Sequence, residues 1–501
     1  MDFLGHFFLG IQVVFSLANL FYCFLGVLLG TIVGVLPGLG PAATISLLLS
    51  LTYRMDMTGA IIMLSGVYYG AQYGGSITSI LINIPGEAAS VVTTLDGYQM
   101  AKKGRAGPAL GIAAFGSFIA GTLGVVGLML VAPSLADLAL MFGSPEYVML
   151  MVLGLTLVTY LSGQSKVKAF MMAALGLIIG CIGMDPMTSR FRFTFGIVSL
   201  TNGIDIPILA MGMFGISEIL LNAEKKEGPV QYIQTSTKLR NLLPSLDDWR
   251  KSTAPILRGT AVGFFLGILP GGGAVLSSFV SYAAERRISK NPEEFGKGAI
   301  EGVAGPESAN NSATAGSFVP LLTLGIPSNA VMALILAAFM IHGVSPGPLI
   351  FKNQPEVFWG IVVSMYIGNI FLIILNVPLI GLFVRLLQVP HLVMYPSVIL
   401  ICFIGAFTTN NDPFDVLVVA VLGIIGYILR KSDYDLAPLI LAYVIGPILE
   451  RTLRQSLTIS DGDPSIFFTR PVSRALAIVI ILSLLSPLFL TWLHKKENKG
   501  L

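Results

Sequence analysis

The sequence predicts an all-α, polytopic membrane protein, and three observations carry that prediction. Hydrophobic residues make up 54% of the chain, charged residues only 11%, and mean hydropathy is +0.82, against roughly 25% charged residues in soluble domains. Residues 3–53, 106–136, 308–351 and 386–411 contain no Asp, Glu, Lys or Arg. Glycine and proline interrupt the apolar stretches at matching places in the two halves, so the membrane helices are broken ones. At about 20 residues per crossing, the apolar runs supply roughly 10 to 12 spans.

The first run, residues 3–53, is long enough to cross a bilayer about twice. Near its middle stands Gly34-Val35-Leu36-Pro37-Gly38-Leu39-Gly40-Pro41. Non-helical backbone at membrane depth leaves peptide groups unpaired, which is tolerated only where protein or a water-filled cavity satisfies them. The start Met1-Asp2-Phe3 lacks the basic region of a cleavable signal, so the first segment is read as retained. After a turn at Tyr53-Arg54-Met55-Asp56 comes a second glycine-rich segment from Tyr69 through Asn83-Ile84-Pro85-Gly86. Its Gly and Pro predict unwound backbone, while Ser76, Thr78, Ser79 and Asn83 offer oxygens suited to a cation or a carboxylate partner. A polar loop with Lys102, Lys103 and Arg105 precedes a span around residues 109–131, where Gly116, Ala120, Gly121 and Gly124 fit close helix packing.

Residues 222–258 carry Lys225, Lys226, Lys238, Arg240, Arg250, Lys251 and Arg258. An excess of Lys and Arg marks the cytoplasmic side. The chain is therefore divided into a first transmembrane repeat (1–223), a cytoplasmic connecting loop (224–254) and a second transmembrane repeat (255–501). In the second half Gly267-Ile268-Leu269-Pro270-Gly271-Gly272-Gly273 answers the first break, and Gly325-Ile326-Pro327 answers Asn83-Ile84-Pro85. Matching breaks in two halves point to a transporter's binding site, and an inverted pair of repeats is the arrangement expected.

Each break frees a helix start, where unpaired amides and the macrodipole attract anions. The substrate-binding candidates are therefore Pro37, Gly38, Gly40, Thr44, Gly74, Gly75, Ser76, Pro85, Gly86, Gly271, Gly272, Gly273, Ser277, Pro327, Ser328 and Asn329. A polar cluster, Pro306-Glu307-Ser308-Ala309-Asn310-Asn311-Ser312-Ala313-Thr314, leads straight into a membrane stretch. Unsatisfied amides and hydroxyls are costly in hydrocarbon. The ion-binding candidates are accordingly Thr78, Ser79, Asn83, Asn310, Asn311, Ser312 and Thr314. Glu307 reads either as a cation ligand or as an interfacial charge. Asp205, Glu218 and Asp412 read as helix-end residues.

Other classes lack support. A net charge of +3 is too small to argue for nucleic acid. Cys23, Cys181 and Cys402 have no metal-ligand spacing, and His6, His342, His391 and His494 do not cluster in sequence. Gly38-x-Gly40-x-x-Ala43 has Rossmann-like spacing but no strand-helix-strand surroundings, and no GxSxG, HExxH or GxxxxGK[ST] occurs. The chain is read as no enzyme, with no cofactor beyond a coupling Na+ or H+. A passive organic-anion channel and an intramembrane enzyme are the alternatives.

The motifs around Pro37, Pro85, Pro270 and Pro327 together resemble the large membrane subunit of bacterial tripartite tricarboxylate transporters, the TctA family. The resemblance spans nearly the whole chain. It implies a multi-pass inner-membrane permease importing di- and tricarboxylates or related organic acids on an ion gradient, often sodium. It also implies two partners, a periplasmic solute-binding protein and a small membrane subunit.

Overall fold

The computed structural model describes residues 3–36, 40–161, 165–185, 187–224, 239–386 and 391–497. Pro37 and Gly38, and residues 225–238 of the connecting segment, lie outside the described residues.

Helix α1 (Phe3–Val14) turns into α2 (Leu17–Val35) at Ser16, whose hydroxyl accepts the Asn19 N–H and caps the second helix. Beyond the break, Gly40 is the N-cap of α3 (Pro41–Thr52), with proline at the first helical position, where its missing N–H leaves nothing unpaired. Asp56 then accepts from the amides of Thr58 and Gly59 and starts α4 (Met57–Ile82). That helix ends on Asn83 in the left-handed conformation (φ 59°), which releases Ile84-Pro85-Gly86 as unwound chain. A 3-10 turn (Ala88–Ser90) and α5 (Val91–Met100) run on through a π turn into α6 (Ala106–Ala139). Helices α7 (Ser144–Leu161) and α8 (Lys166–Gly180), an antiparallel hairpin of β1 (Gly183–Met184) and β2 (Phe191–Arg192), α9 (Ile206–Ala210) and α10 (Ser217–Glu224) complete the first half. Arg454 of the second half pairs with Asp185 beside the hairpin and with Glu450, and Arg192 pairs with Glu450 too.

The second half opens with α11 (Leu239–Leu242) and α12 (Leu246–Ile268). Helix α12 begins inside the interval read from sequence as a connecting loop, because Ser245 and Asp248 form a reciprocal capping box and Arg105 pairs with Asp248. Then come α13 (Gly273–Ile288), α14 (Glu301–Leu324), α15 (Ala330–Ile341), α16 (Ile350–Asn353) and α17 (Pro355–Asn376). The chain ends through α18 (Ile380–Leu386), α19 (His391–Asn410), α20 (Pro413–Lys431), α21 (Ala437–Ile459), α22 (Ile466–Thr469) and α23 (Pro471–Glu497).

Glycine rows set the packing in both halves. A Cβ on Gly26, Gly30 or Gly34 of α2 would stand 2.1, 2.4 or 2.3 Å from the carbonyl oxygens of Met63, Val67 and Ala71 on α4. A Cβ on Gly259, Gly263 or Gly267 of α12 would stand 2.3, 2.1 or 2.3 Å from those of Gly305, Ala309 and Ala313 on α14. Each pair is thus packed backbone on backbone, a contact only glycine permits. As a result α4 is buried from Gly59 to Ile82, and α14 from Gly302 to Thr323. Among the described residues six helices are long and apolar enough to cross a membrane, alongside shorter apolar ones such as α3 and α15. The outer helices α19 and α20 turn Leu400, Ile404, Leu417 and Ile424 outward, each more than half exposed, a surface suited to lipid. The protein is all-α and polytopic.

Candidate functional site

The breaks from both halves meet at one cavity of about 740 Å³. Its walls include Gly40 to Ala43 at the start of α3, Gly271 to Val275 at the start of α13, and Asn329 to Val331 at the start of α15. Ile84, Pro85, Gly86, Glu87 and Ala88 add the unwound end of α4 and the turn leading to α5. Close approach or positive φ explains four of the glycines here, Gly86, Gly271, Gly272 and Gly273. A Cβ on Gly86 would lie 1.9 Å from the Gly34 carbonyl oxygen, and Gly271 and Gly273 take φ of 79° and 51°, where side chains are strained. The Gly271 N–H donates to the Ser328 carbonyl at 2.7 Å and ties one break of the second half to the other. Asn329 caps α15 by accepting the Met332 N–H at 3.0 Å, while its amide donates to Tyr68 at 3.2 Å and to Ser317 at 3.3 Å. Three helices of twelve or more residues therefore begin at one concavity, and their first-turn amides, apart from the capped Met332 N–H, together with the helix dipoles make it attractive to negative charge.

Of the substrate candidates, Gly40, Pro85, Gly86, Gly271, Gly272, Gly273 and Asn329 line this cavity. Thr44 and Ser277 sit one turn inside α3 and α13, where their hydroxyls donate to the Gly40 and Gly273 carbonyls. Ser328 contributes its backbone carbonyl, and Pro327 is buried beside it. Gly74 packs on α2, where a Cβ would lie 2.4 Å from the Thr31 carbonyl oxygen, and Gly75 packs on the Glu87 side chain. Ser76 turns away toward α14.

Sequence reasoning missed the polar wall of the cavity. Gln72 and Glu87 line it, as do Glu218, Arg430 and Asp435. Glu218 does more than end a helix: its carboxylate accepts from the Arg430 guanidinium, which also lies 5.8 Å from the Phe214 ring. Asp205 and Asp412 do stand at helix starts, those of α9 and α20.

The ion candidates fall in a different place. Glu307 is fully buried inside α14 and accepts from Ser76 at 2.5 Å, from Thr93, and from Asn310 at 3.3 Å. It is closed off from solvent, and its oxygens are covered by donors, which a buried carboxylate requires. Asn311 donates to Ser117 at 2.7 Å, while its own Oδ1 has no partner among the described residues. Asn311 and Thr314 border a small cavity of about 20 Å³, shared with Tyr69 and Asn369, room for about one water. Thr78 and Ser79 donate to the Gly75 carbonyl, Ser312 donates to the Thr260 carbonyl, and Asn83 is an exposed helix cap.

Comparison with known proteins identifies a family and two relatives. The model of the tripartite tricarboxylate transporter TctA family matches residues 20–441. An "Uncharacterized 52.8 kDa protein in TAR-I ttuC' 3'region" of Agrobacterium vitis is 50% identical over 479 residues, 96% of this chain and 95% of that protein. An "Uncharacterized protein in TAR-II ttuC' 3'region" of the same organism is 52% identical over 227 residues, 44% of this chain and 94% of that protein. No solved structure matches. With a family match across most of its length, the chain belongs to the tripartite tricarboxylate transporter TctA family.

Proposed function

We propose that the chain is the permease that carries di- or tricarboxylates, or related organic acids, across the bacterial inner membrane on a cation gradient. As a TctA-family protein it is a membrane subunit of a tripartite transporter. The finer reading rests chiefly on one observation, the gathering of the α3, α13 and α15 starts at a single cavity. Discontinuous helices whose N-termini face a common space are how secondary transporters hold anionic groups. A volume of about 740 Å³ suits a small organic acid. Arg430 supplies a planar fork that can pair with a carboxylate in two parallel hydrogen bonds. Its present partner Glu218 makes the pair exchangeable, so that an arriving carboxylate takes the place of the protein's own. The two glycine-packed helix pairs, α2–α4 and α12–α14, are read as equivalent parts of inverted repeats.

Coupling to a cation follows from charge. Bringing an anion inward against a negative-inside potential costs about 2.3 kcal/mol per charge per 100 mV. A solute-binding protein delivers the substrate, and a small membrane subunit completes the complex.

The experiment is uptake into proteoliposomes that hold both membrane subunits, with the binding protein outside. Saturable accumulation of a di- or tricarboxylate that collapses when the cation gradient is dissipated is the expected result. Flux that neither saturates nor accumulates would favour a passive anion channel and contradict the reading.

A further inference from the structure

We infer that Gln72 and Glu87 form a binding site for an alkali cation of sodium's size in the wall of the carboxylate cavity. The inference rests on the cavity reading above and assigns the coupling cation a place within it. Both side chains are more than nine-tenths buried, at 2% and 8% exposure, and both line the cavity. One Glu87 oxygen, Oε2, accepts the Ala89 N–H at 2.8 Å and starts the turn that leads into α5. Its other oxygen, Oε1, has no hydrogen-bond partner among the described residues, and neither does Gln72 Oε1. Buried oxygens left without a donor are uncommon and call for an occupant.

Both residues face the same cavity, and Gly75 links their positions on α4. Gln72 and Gly75 are three residues apart on α4 and so lie on neighbouring turns of one face. Gly75 has no side chain because Glu87 occupies the space: a Cβ there would lie 2.8 Å from Glu87 Cγ. The Glu87 side chain is therefore laid against α4 one turn from Gln72. Next to them runs Ile84-Pro85-Gly86, unwound backbone at the C-terminal end of a helix, where carbonyls coordinate cations in transporters.

Charge gives the site its purpose. The described lining of the cavity holds three carboxylates, Glu87, Glu218 and Asp435, and one guanidinium, Arg430. Arg430 is taken by Glu218, and Asp435 accepts the Ala437 N–H at 2.9 Å. Glu87 has no cationic partner among the described residues. A substrate carboxylate entering this space would face it directly. A monovalent cation between Glu87 and Gln72 cancels that charge and finds only oxygen ligands, the preference of a hard cation. One carboxylate balances one alkali cation, whereas divalent sites usually gather several. In the second half, Asn329 stands where Glu87 stands in the first, after Ile-Pro and a small residue. It is neutral and its amide is engaged on both sides, so this site belongs to one half only. Cation and carboxylate then each raise the other's affinity, as linkage requires.

The test is equilibrium binding of 22Na+ to the purified full chain in nanodiscs, with no carboxylate present. Saturable binding is expected, competed by Li+ better than by K+. Glu87→Gln keeps an acceptor for the Ala89 N–H but removes the charge. It should weaken 22Na+ binding about tenfold or more, the size of losing one charge-assisted contact. Gln72→Ala leaves that cap untouched and should weaken binding by a smaller factor. Absence of saturable 22Na+ binding to the wild type overturns the site and points to a proton at Glu87 instead. Unchanged affinity in Glu87→Gln overturns it as well. If that variant is not monodisperse, Gln72→Ala decides, and wild-type affinity there overturns the site. Failed carboxylate uptake with 22Na+ binding intact would instead count against the transport reading and leave the cation site standing.

Discussion

Arg430→Ala is expected to weaken binding of a di- or tricarboxylate to the purified chain by roughly 30-fold, the lower end of the range of about 2–5 kcal/mol for removing one partner of a hydrogen-bonded charge pair. The lower end applies because the Arg430 side chain is 21% exposed and partly screened by solvent. The loss has two sources. The guanidinium no longer receives the substrate, and Glu218 is left in the cavity wall as an uncompensated negative charge. The companion variant moves the other way. Glu218→Gln releases Arg430 from its internal partner and should tighten carboxylate binding several-fold. Arg430→Lys keeps the charge without the planar fork and should fall between wild type and Arg430→Ala. Competition binding with a labelled carboxylate checks all three, and equal affinities would remove Arg430 from the site.

The second large effect concerns the scaffold that brings the breaks together. Gly263→Val places a branched side chain where a Cβ alone would lie 2.1 Å from the Ala309 carbonyl oxygen. That oxygen belongs to helix backbone and cannot swing aside, so α12 and α14 must separate along their length. Overpacking usually costs about 1–3 kcal/mol, and a clash with backbone on both sides belongs at or above the top of that range. Gly154→Ala is the matched control, since the nearest atom to a Cβ there is Ile326 Cγ2 at 3.8 Å. It should leave the thermal midpoint in detergent unchanged or raise it slightly, because alanine favours the helix over glycine. The midpoint of Gly263→Val should fall well below both. A wild-type midpoint would show that α12 and α14 do not depend on backbone contact.

The helix breaks at Pro85, Pro270 and Pro327 were legible because proline and glycine are conspicuous in apolar runs. Gly70, Gly74 and Gly75 carry the same expectation of unwound backbone but lie inside α4, where Gly70 and Gly74 serve close packing on α2. The cavity's polar wall was not legible. Arg430 and Glu218 are separated by more than two hundred positions, and each reads in isolation as a charge near a helix end. Gln72 stands within the glycine-rich segment that begins at Tyr69, yet a lone amide among Gly and Tyr has no period to mark it. Glu87 directly follows Pro85-Gly86, and the signal that could have found it was position: the first acidic side chain after an unwound segment. The serine and threonine candidates show why hydroxyls alone are weak markers. Thr78, Ser79 and Thr314 donate to carbonyls three or four residues back in their own helices, the ordinary local use of such side chains. Glu307, among polar neighbours, reads from sequence as a cation ligand or an interfacial charge. It sits in a buried helix because Ser76 and Thr93, from the first half, supply the donors that make burial tolerable.

In the proposed transport site, helix starts from both halves hold the carboxylates of the substrate in one cavity. A cryo-electron microscopy map of the full chain in nanodiscs, with a saturating tricarboxylate and sodium, is the decisive experiment. Ligand density is expected between Gly40 to Ala43, Gly271 to Val275 and Asn329 to Val331, with carboxylate oxygens within hydrogen-bond reach of the first-turn amides there. Density for the tricarboxylate elsewhere in the protein, with this cavity holding only water, would contradict the proposed site.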